Sequence, residues 1–449
     1  MTPRSALAAG TVLIRNGTIV TMNDAMDVVT GDVWIRDGRI AAVGTAPAEA
    51  AGASAIDAEG GIVLPGFVQT HVHLCQTLFR GLADDLPLLA WLRRRVWPLE
   101  AAHDETTLGA AARLAAAELL LGGTTSVLTM ETVHGTDAIF DALVPTGLRA
   151  VVGKCLMNVR GDAPARLFQE RTAALDESLA LHARWHGAAD GRLRAALAPR
   201  FAISCTRDLL EATSALSAAH GLLVHTHASE QRDEVEVVRA ETGLDNIAYL
   251  ASLGLATERL CVAHCVWVTE PEQQLLAERR VKVLHCPGSN LKLGSGIAPI
   301  AELLARGVSV SLGADGAACN NSLDMFQEMR LAATLQAVRK GPGALPARQV
   351  VAMATREGAR ALGQAADVGS IETGKKGDLI VVSTRGAHQT PGTDPYSQLV
   401  YASRASDVRA TLVDGRLVAR DGQVLWADLG SLRAEAGLAA RTLIARAGL

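Results

Sequence analysis

A chain of 449 residues with a formal net charge of -4 and 20% charged residues has the length for one large core and a smaller unit beside it. The slightly acidic balance gives no electrostatic footing for nucleic acid or an anionic membrane, and no run of about 18 apolar residues offers a bilayer span. Seven cysteines, an odd number without a Cys-x-x-Cys pair, read as reduced thiols of a cytoplasmic protein.

The opening stretch "MTPRSALAAGTVLIRNG" lacks the apolar segment of a secretory signal and turns directly into strand-like sequence. Asn16-Gly17 predicts a first hairpin turn. "VWIRDGRIAAVG" predicts two strands around Asp37-Gly38, and near the other end "ATLVDGRLVARDGQVL" repeats the design around Asp414-Gly415. Asn-Gly and Asp-Gly between alternating runs are hairpin signals because type I′ turns need positive φ. Residues 1–65 and 370–449 are therefore expected to build one small β-sandwich domain, with residues 66–369 inserted as a second domain.

Within the insert, eight short apolar runs appear in order: "GFVQTHVH", "TTSVLTM", "RAVVGKCLM", "LRAALAPRF", "LLVHTH", "LCVAHCVWV", "VKVLHC" and "VSVSLGAD". Most are continuously apolar, as parallel strands buried on both faces are. Between them lie helical patterns closed by glycine, such as "TTLGAAARLAAAELLLGG". Eight such units predict an α/β protein with a (β/α)8 TIM barrel, whose chemistry sits at the C-terminal strand ends.

Those ends carry His71 and His73 on the first strand, His225 and His227 on the fifth, His264 on the sixth, His285 on the seventh and Asp315 on the eighth. Six of the 12 histidines at one mouth, joined by an aspartate, are hard to explain as packing. On an extended segment His71-x-His73 points both imidazoles to one side. Three imidazoles and one carboxylate suit Zn²⁺ with an open position, and such a metal lowers the pKa of bound water to about 7. Glu230, three residues after His227 in "HTHASE", is placed to turn back over the metal and shuttle a proton.

The motifs "PGFVQTHVH", "HTHASE", "AHCVWV", "HCPGSNLKLGSGIAP" and "GADGAACNNSLDMFQEMR" resemble the amidohydrolase superfamily over nearly the whole chain. The likeness is to the branch of S-adenosylhomocysteine, methylthioadenosine and 5′-deoxyadenosine deaminases, with guanine deaminases and triazine hydrolases as relatives. It implies that His71, His73, His227 and Asp315 bind one metal, zinc first, iron or manganese by the same ligands. It further implies that Glu230 protonates a ring nitrogen, His264 holds the attacking oxygen and Asp315 takes the water proton. Binuclear members use a lysine on the fourth strand, whereas Lys154 counts to the third and the fourth offers Arg200, so one metal is expected.

Substrate contacts are expected from Trp91, Arg200, His285 and Asn290, with Ser289 beside the last and Trp97 a second candidate wall. The glutamate that nucleoside deaminases carry just before the tryptophan is replaced by Leu89 and Ala90, and "PRFAISC" is guanine-deaminase-like. Arg200 is read either as facing a ring carbonyl or as a structural clamp under the mouth. The readings that follow are an aminopurine deaminase, a triazine hydrolase with chloride or amine leaving groups, and a silent binding protein on the same scaffold. The partner is a small aminoheterocycle, and the resemblance implies a homodimer or larger assembly. His182 and His186, four apart, read as an exposed helix face.

Overall fold

The computed structural model describes residues 11–449; the leader-free reading of residues 1–10 lies outside the described residues. Eight strands follow the expected order: Phe67–His73, Thr124–Met130, Arg149–Leu156, Leu193–Pro199, Val224–Ala228, Leu260–His264, Lys282–His285 and Ser309–Leu312. Each pairs in parallel with the next. A two-residue continuation, Asp315–Gly316, pairs with Val72 and His73 of the first strand and closes the ring. The first three strands are buried at every position, the condition under which continuously apolar sequence forms parallel strands. At the seam, a Cβ on Gly313 would lie 2.6 Å from the His71 carbonyl oxygen, so only glycine lets the eighth strand approach there.

The second sheet is assembled from both ends of the chain, in the order Gln423–Val424, Arg416–Arg420, Val408–Val413, Leu379–Val382, Ile62–Pro65, Val12–Val20, Val28–Arg36 and Arg39–Gly44, with Ser54–Asp57 against Val12–Val20. The N- and C-terminal halves join at the antiparallel pairing of Ile62–Pro65 with Leu379–Val382 and again at a bridge between Arg39 and Lys376. The sheet curls around Ile14, Ile19, Ile35, Leu379, Leu412 and Leu417. Its two Asp-Gly turns meet tip to tip: Asp37, Gly38, Asp414 and Gly415 all have positive φ, and a Cβ on Gly415 would sit 3.0 Å from the Gly38 Cα. A buried guanidinium locks this sheet to the barrel. Arg149, opening the third barrel strand, reaches Asp378 at 3.0 Å and Asp414 at 2.7 Å.

Two local expectations differ from the structure. Asn16-Gly17 is a bulge inside the single strand Val12–Val20, where the register with Val28–Arg36 shifts between Ile14 and Gly17. Asn16 keeps the positive φ, 58°, that made it look like a turn, because a bulge satisfies that preference equally well. The β-rich reading also stops short of the C-terminus. Leu429–Ala447 is a helix whose Ala436, Ala439 and Leu443 join Phe79, Trp91 and Leu92 in one apolar cluster above the barrel. Among the described residues no helix is long and apolar enough to cross a membrane.

Helix Glu105–Leu121 begins on a capping box: the Asp104 carboxylate accepts from the Thr107 backbone N–H at 2.9 Å and pairs with Arg446 at 2.6 Å. Burial raises the Asp104 pKa, but the Thr107 N–H and the Arg446 guanidinium lower it further, to about 2 from an ordinary 3.8. A carboxyl depressed in the folded state contributes stability above its unfolded pKa and loses it as pH falls through the folded one. Asp104→Ala is therefore expected to lower stability by about 1 kcal/mol at pH 7. In denaturant titrations that difference shrinks between pH 4 and pH 2, where Asp104 takes up its proton.

Candidate active site

The strand ends bring His71, His73, His227, His264 and Asp315 to one point at the barrel mouth, all buried. Three residues there, Ser229 (φ 56°), His264 (φ 74°) and Asp315 (φ 64°), adopt left-handed backbone, and Cys265 follows at 47°. Each such conformation costs about 1–3 kcal/mol for a residue other than glycine. The side chains at the mouth are held there against that strain.

Hydrogen bonds fix the face that each imidazole presents. His73 Nδ1 donates to the Met130 carbonyl at 2.7 Å, and His227 Nδ1 to the Arg200 carbonyl at 2.8 Å. His264 Nδ1 donates to Asn290 Oδ1 at 2.8 Å. His225 Nδ1 donates to the Thr129 carbonyl at 3.2 Å, so its Nε2 accepts from His71 Nδ1 at 2.7 Å. His225 thus stands behind His71 rather than at the centre. With every Nδ1 proton committed outward, four Nε2 atoms face inward.

Inside, Asp315 Oδ1 lies 3.3 Å from the Nε2 atoms of both His71 and His73, and the Nε2 atoms of His73 and His227 are 3.3 Å apart. Burial pulls His71 down to about 4 and His227 and His264 below the ordinary histidine value. Burial also lowers His73, but Asp315 outweighs it and raises that ring. Burial would raise Asp315, and the His71 and His73 rings hold it far below the carboxylate range instead.

Glu230 Oε2 lies 3.6 Å from His264 Nε2, and Asp315 Oδ2 lies 3.9 Å from the same atom. Burial, and then the Asp315 charge, push Glu230 well above the carboxylate range. Its backbone is held by Glu234, which accepts from the Glu230 N–H at 2.8 Å and from Asn246 Nδ2.

The remaining expected residues divide. Trp91 lines the pocket with Leu88, Leu92, Phe201 and Leu293. Arg200 also lines it, but its guanidinium makes a bidentate pair with buried Glu100, at 2.5 and 3.1 Å. That is the clamp reading of this residue. Asn290 serves His264, and Ser289 donates to the Cys286 carbonyl at 3.3 Å. His285 is buried without a hydrogen-bond partner, burial bringing it down to about 3, and it is not among the pocket-lining residues. Trp97 packs at the C-terminal ends of the second and third strands with Met130 and Met157. Lys154 lies on the third strand, turned to Gln169 at 2.6 Å, and the fourth strand holds no lysine.

Sequence reasoning missed Glu100, Glu131 and Gln76. Glu131 accepts from the Leu74 and Cys75 N–H groups at 3.4 and 2.9 Å, anchoring the turn after His73. Its position at the end of the second strand was the available signal. The pocket lined by Trp91 and Arg200 measures about 10 Å³, room for about one water.

An inward ring of nitrogen lone pairs beside a carboxylate is the donor set of a divalent metal with an open position. The 3.3 Å separations match the edge of a tetrahedron with metal–ligand bonds of about 2.0–2.1 Å. His71 Nε2, buried and without a hydrogen-bond partner, fits the same reading.

A closed parallel barrel with this constellation at its mouth defines a hydrolase scaffold, and the chain belongs to the amidohydrolase family, whose model matches residues 62–418. It is 43% identical over 402 residues to a 5′-deoxyadenosine deaminase of Methanothermobacter thermautotrophicus, covering 89% of this chain and 92% of that one. It is 39% identical to a 5-methylthioadenosine/S-adenosylhomocysteine deaminase of Moorella thermoacetica, covering 95% and 98%. Among solved structures, an adenosine deaminase from Xanthomonas campestris with bound zinc superimposes with a TM-score of 0.90 at 33% identity, over 97% and 98% of the two chains.

Removing divalent metal with a chelator is expected to lower the melting temperature, because a ligand bound only by the folded state stabilises by about 4 kcal/mol at a thousandfold excess over Kd. Zinc should restore it in the wild type and not in Asp315→Ala, as read by scanning calorimetry with metal content measured in parallel.

Proposed function

We propose that this chain is a metal-dependent hydrolytic deaminase of aminopurines, with residues 66–369 as its catalytic domain. Its first substrates are 5′-modified adenosines: 5′-deoxyadenosine, methylthioadenosine and S-adenosylhomocysteine. The observation that carries the reading is the pair of buried carboxyls around His264, Glu230 Oε2 at 3.6 Å and Asp315 Oδ2 at 3.9 Å from its Nε2, the first drawn above and the second below the carboxylate range. Two acids whose environments drive their pKa values apart make an acid and a base at one pH. The relatives named as adenosine-type deaminases support the substrate class.

His71, His73, His227 and Asp315 would hold one divalent ion, zinc first and iron or manganese by the same donors. When bound, such an ion acts as a Lewis acid and lowers the pKa of water to about 7. The chain's own groups do the rest. His264, oriented by Asn290, holds the attacking water through Nε2, and Asp315 takes its proton. Glu230 delivers a proton to the ring nitrogen beside the amine-bearing carbon, which accepts the oxygen. The C–N bond then breaks: Asp315 returns its proton to the departing amine, which leaves as ammonia, the new hydroxyl passes its proton to Glu230, and a ring carbonyl remains. Trp91, Phe201 and the leucines of the pocket supply apolar walls for a flat base and exclude water.

Seven free, buried cysteines support a reducing, cytoplasmic setting. The small-molecule pocket accounts for function without nucleic acid or membrane, and a homodimer or larger assembly is the proposed state.

Ammonia release by zinc-loaded protein is expected with 5′-deoxyadenosine, methylthioadenosine or S-adenosylhomocysteine in a panel that also holds adenosine, guanine and melamine. Glu230→Gln should lower kcat by about 10²–10⁴-fold while zinc content stays at the wild-type level. Turnover of guanine or melamine alone would reject the adenosine assignment. Full activity in Glu230→Gln would reject the acid.

A further inference from the structure

His182 and His186, which the sequence presents as an exposed helix face, gain a third ring in the fold. His182 lies in the last turn of helix Arg171–Trp185 and His186 caps that helix, while His220 ends the next barrel helix, Arg207–His220. From these helix ends the chain runs on into the fourth strand, Leu193–Pro199, and the fifth, Val224–Ala228. The three histidines therefore meet beside the N-terminal ends of the strands, across the barrel from the active site.

The spacing of the rings is that of a shared ion. The His182 ring centroid is 4.6 Å from that of His186 and 5.8 Å from that of His220. Imidazoles bound to one zinc ion at about 2.0–2.1 Å and near-tetrahedral angles sit roughly 5 Å apart, centroid to centroid. His182 Nδ1 is shut off from solvent and has no hydrogen-bond partner among the described residues. A buried nitrogen left in that state asks for a ligand.

The local field suits a cation. Two helices end here, and the carbonyl ends of both carry partial negative charge. Burial, and then the His220 ring, lower the pKa of His182; burial, and then the His182 ring, lower that of His186. Rings held neutral keep the lone pairs that coordination requires. His186 and His220 are exposed, so their rings can turn toward a common centre and water can complete the shell. A pair of histidines four apart is an ordinary surface feature. The third ring from a second helix and the orphaned nitrogen set this group apart.

We propose that His182, His186 and His220 form a second metal site, for a transition ion that favours imidazole such as Zn²⁺, Ni²⁺ or Cu²⁺. The ion would clip together the ends of two consecutive barrel helices that the backbone joins only through the fourth strand and its loops. The inference is independent of the deaminase reading and concerns stability, since an ion bound only by the folded chain stabilises it.

The test uses the full chain without an affinity tag, dialysed against buffered micromolar free zinc, with bound zinc per chain counted by mass spectrometry. Wild type should hold one ion more than the active site accounts for, and zinc beyond active-site saturation should raise its melting temperature. His182→Ala, His186→Ala and His220→Ala should each lose the extra ion and the added thermal shift. Loss of an outer-sphere partner alone weakens metal binding about 10–100-fold, and loss of a ligand should cost at least as much. Asp315→Ala should retain the extra ion. His220→Ala decides the matter, because it changes an exposed residue and leaves the His182 and His186 pair intact. Zinc bound as tightly in His220→Ala as in wild type overturns the three-histidine site, and so does a wild type that holds no extra ion.

Discussion

Four imidazoles and two carboxyls drawn out of water to within a few ångströms of one another form an arrangement that a folded chain cannot hold lightly. Desolvation works against every charged form in the cluster, and the inward nitrogens repel unless something positive sits between them. The surrounding architecture reads as the answer to that constraint. Parallel strands place the side chains, left-handed residues aim them, and carbonyls of Met130, Arg200 and Thr129 take the outward protons. The same desolvation that strains the cluster separates Glu230 from Asp315 in acidity.

Much of this was legible in the sequence because a barrel writes its chemistry at regular intervals. A buried parallel strand is continuously apolar, so a histidine or aspartate at its end stands out, and His71, His73, His227, His264 and Asp315 could be picked out one by one. Glu230 was visible through its closeness to His227. The hairpins at Asp37-Gly38 and Asp414-Gly415 were visible because positive φ restricts the residue types that can serve.

What stayed hidden was pairing between distant positions. Glu100 and Arg200 meet across a hundred residues, and neither reveals the other in its local context. The consequence matters for substrate recognition, since pairing with Glu100 engages both terminal nitrogens of Arg200 and leaves Nε as its unpartnered donor. Glu131 escaped for the same reason: it acts on the backbone of Leu74 and Cys75, more than fifty residues away. Asn16-Gly17 shows a different limit, in that a dihedral preference identifies a conformation and not the element that uses it.

The joining of the small sheet at Ile62–Pro65 and Leu379–Val382 bears on how the protein is made. At about 5–20 residues per second, the roughly 300 residues between these strands occupy the ribosome for tens of seconds. Throughout that interval the N-terminal strands carry an unpaired edge of apolar residues, Ile62, Val63 and Leu64, that has no partner in the nascent chain. Such an edge is a template for pairing with another chain. The strand that covers this edge, Leu379–Val382, is synthesised only after the whole barrel sequence.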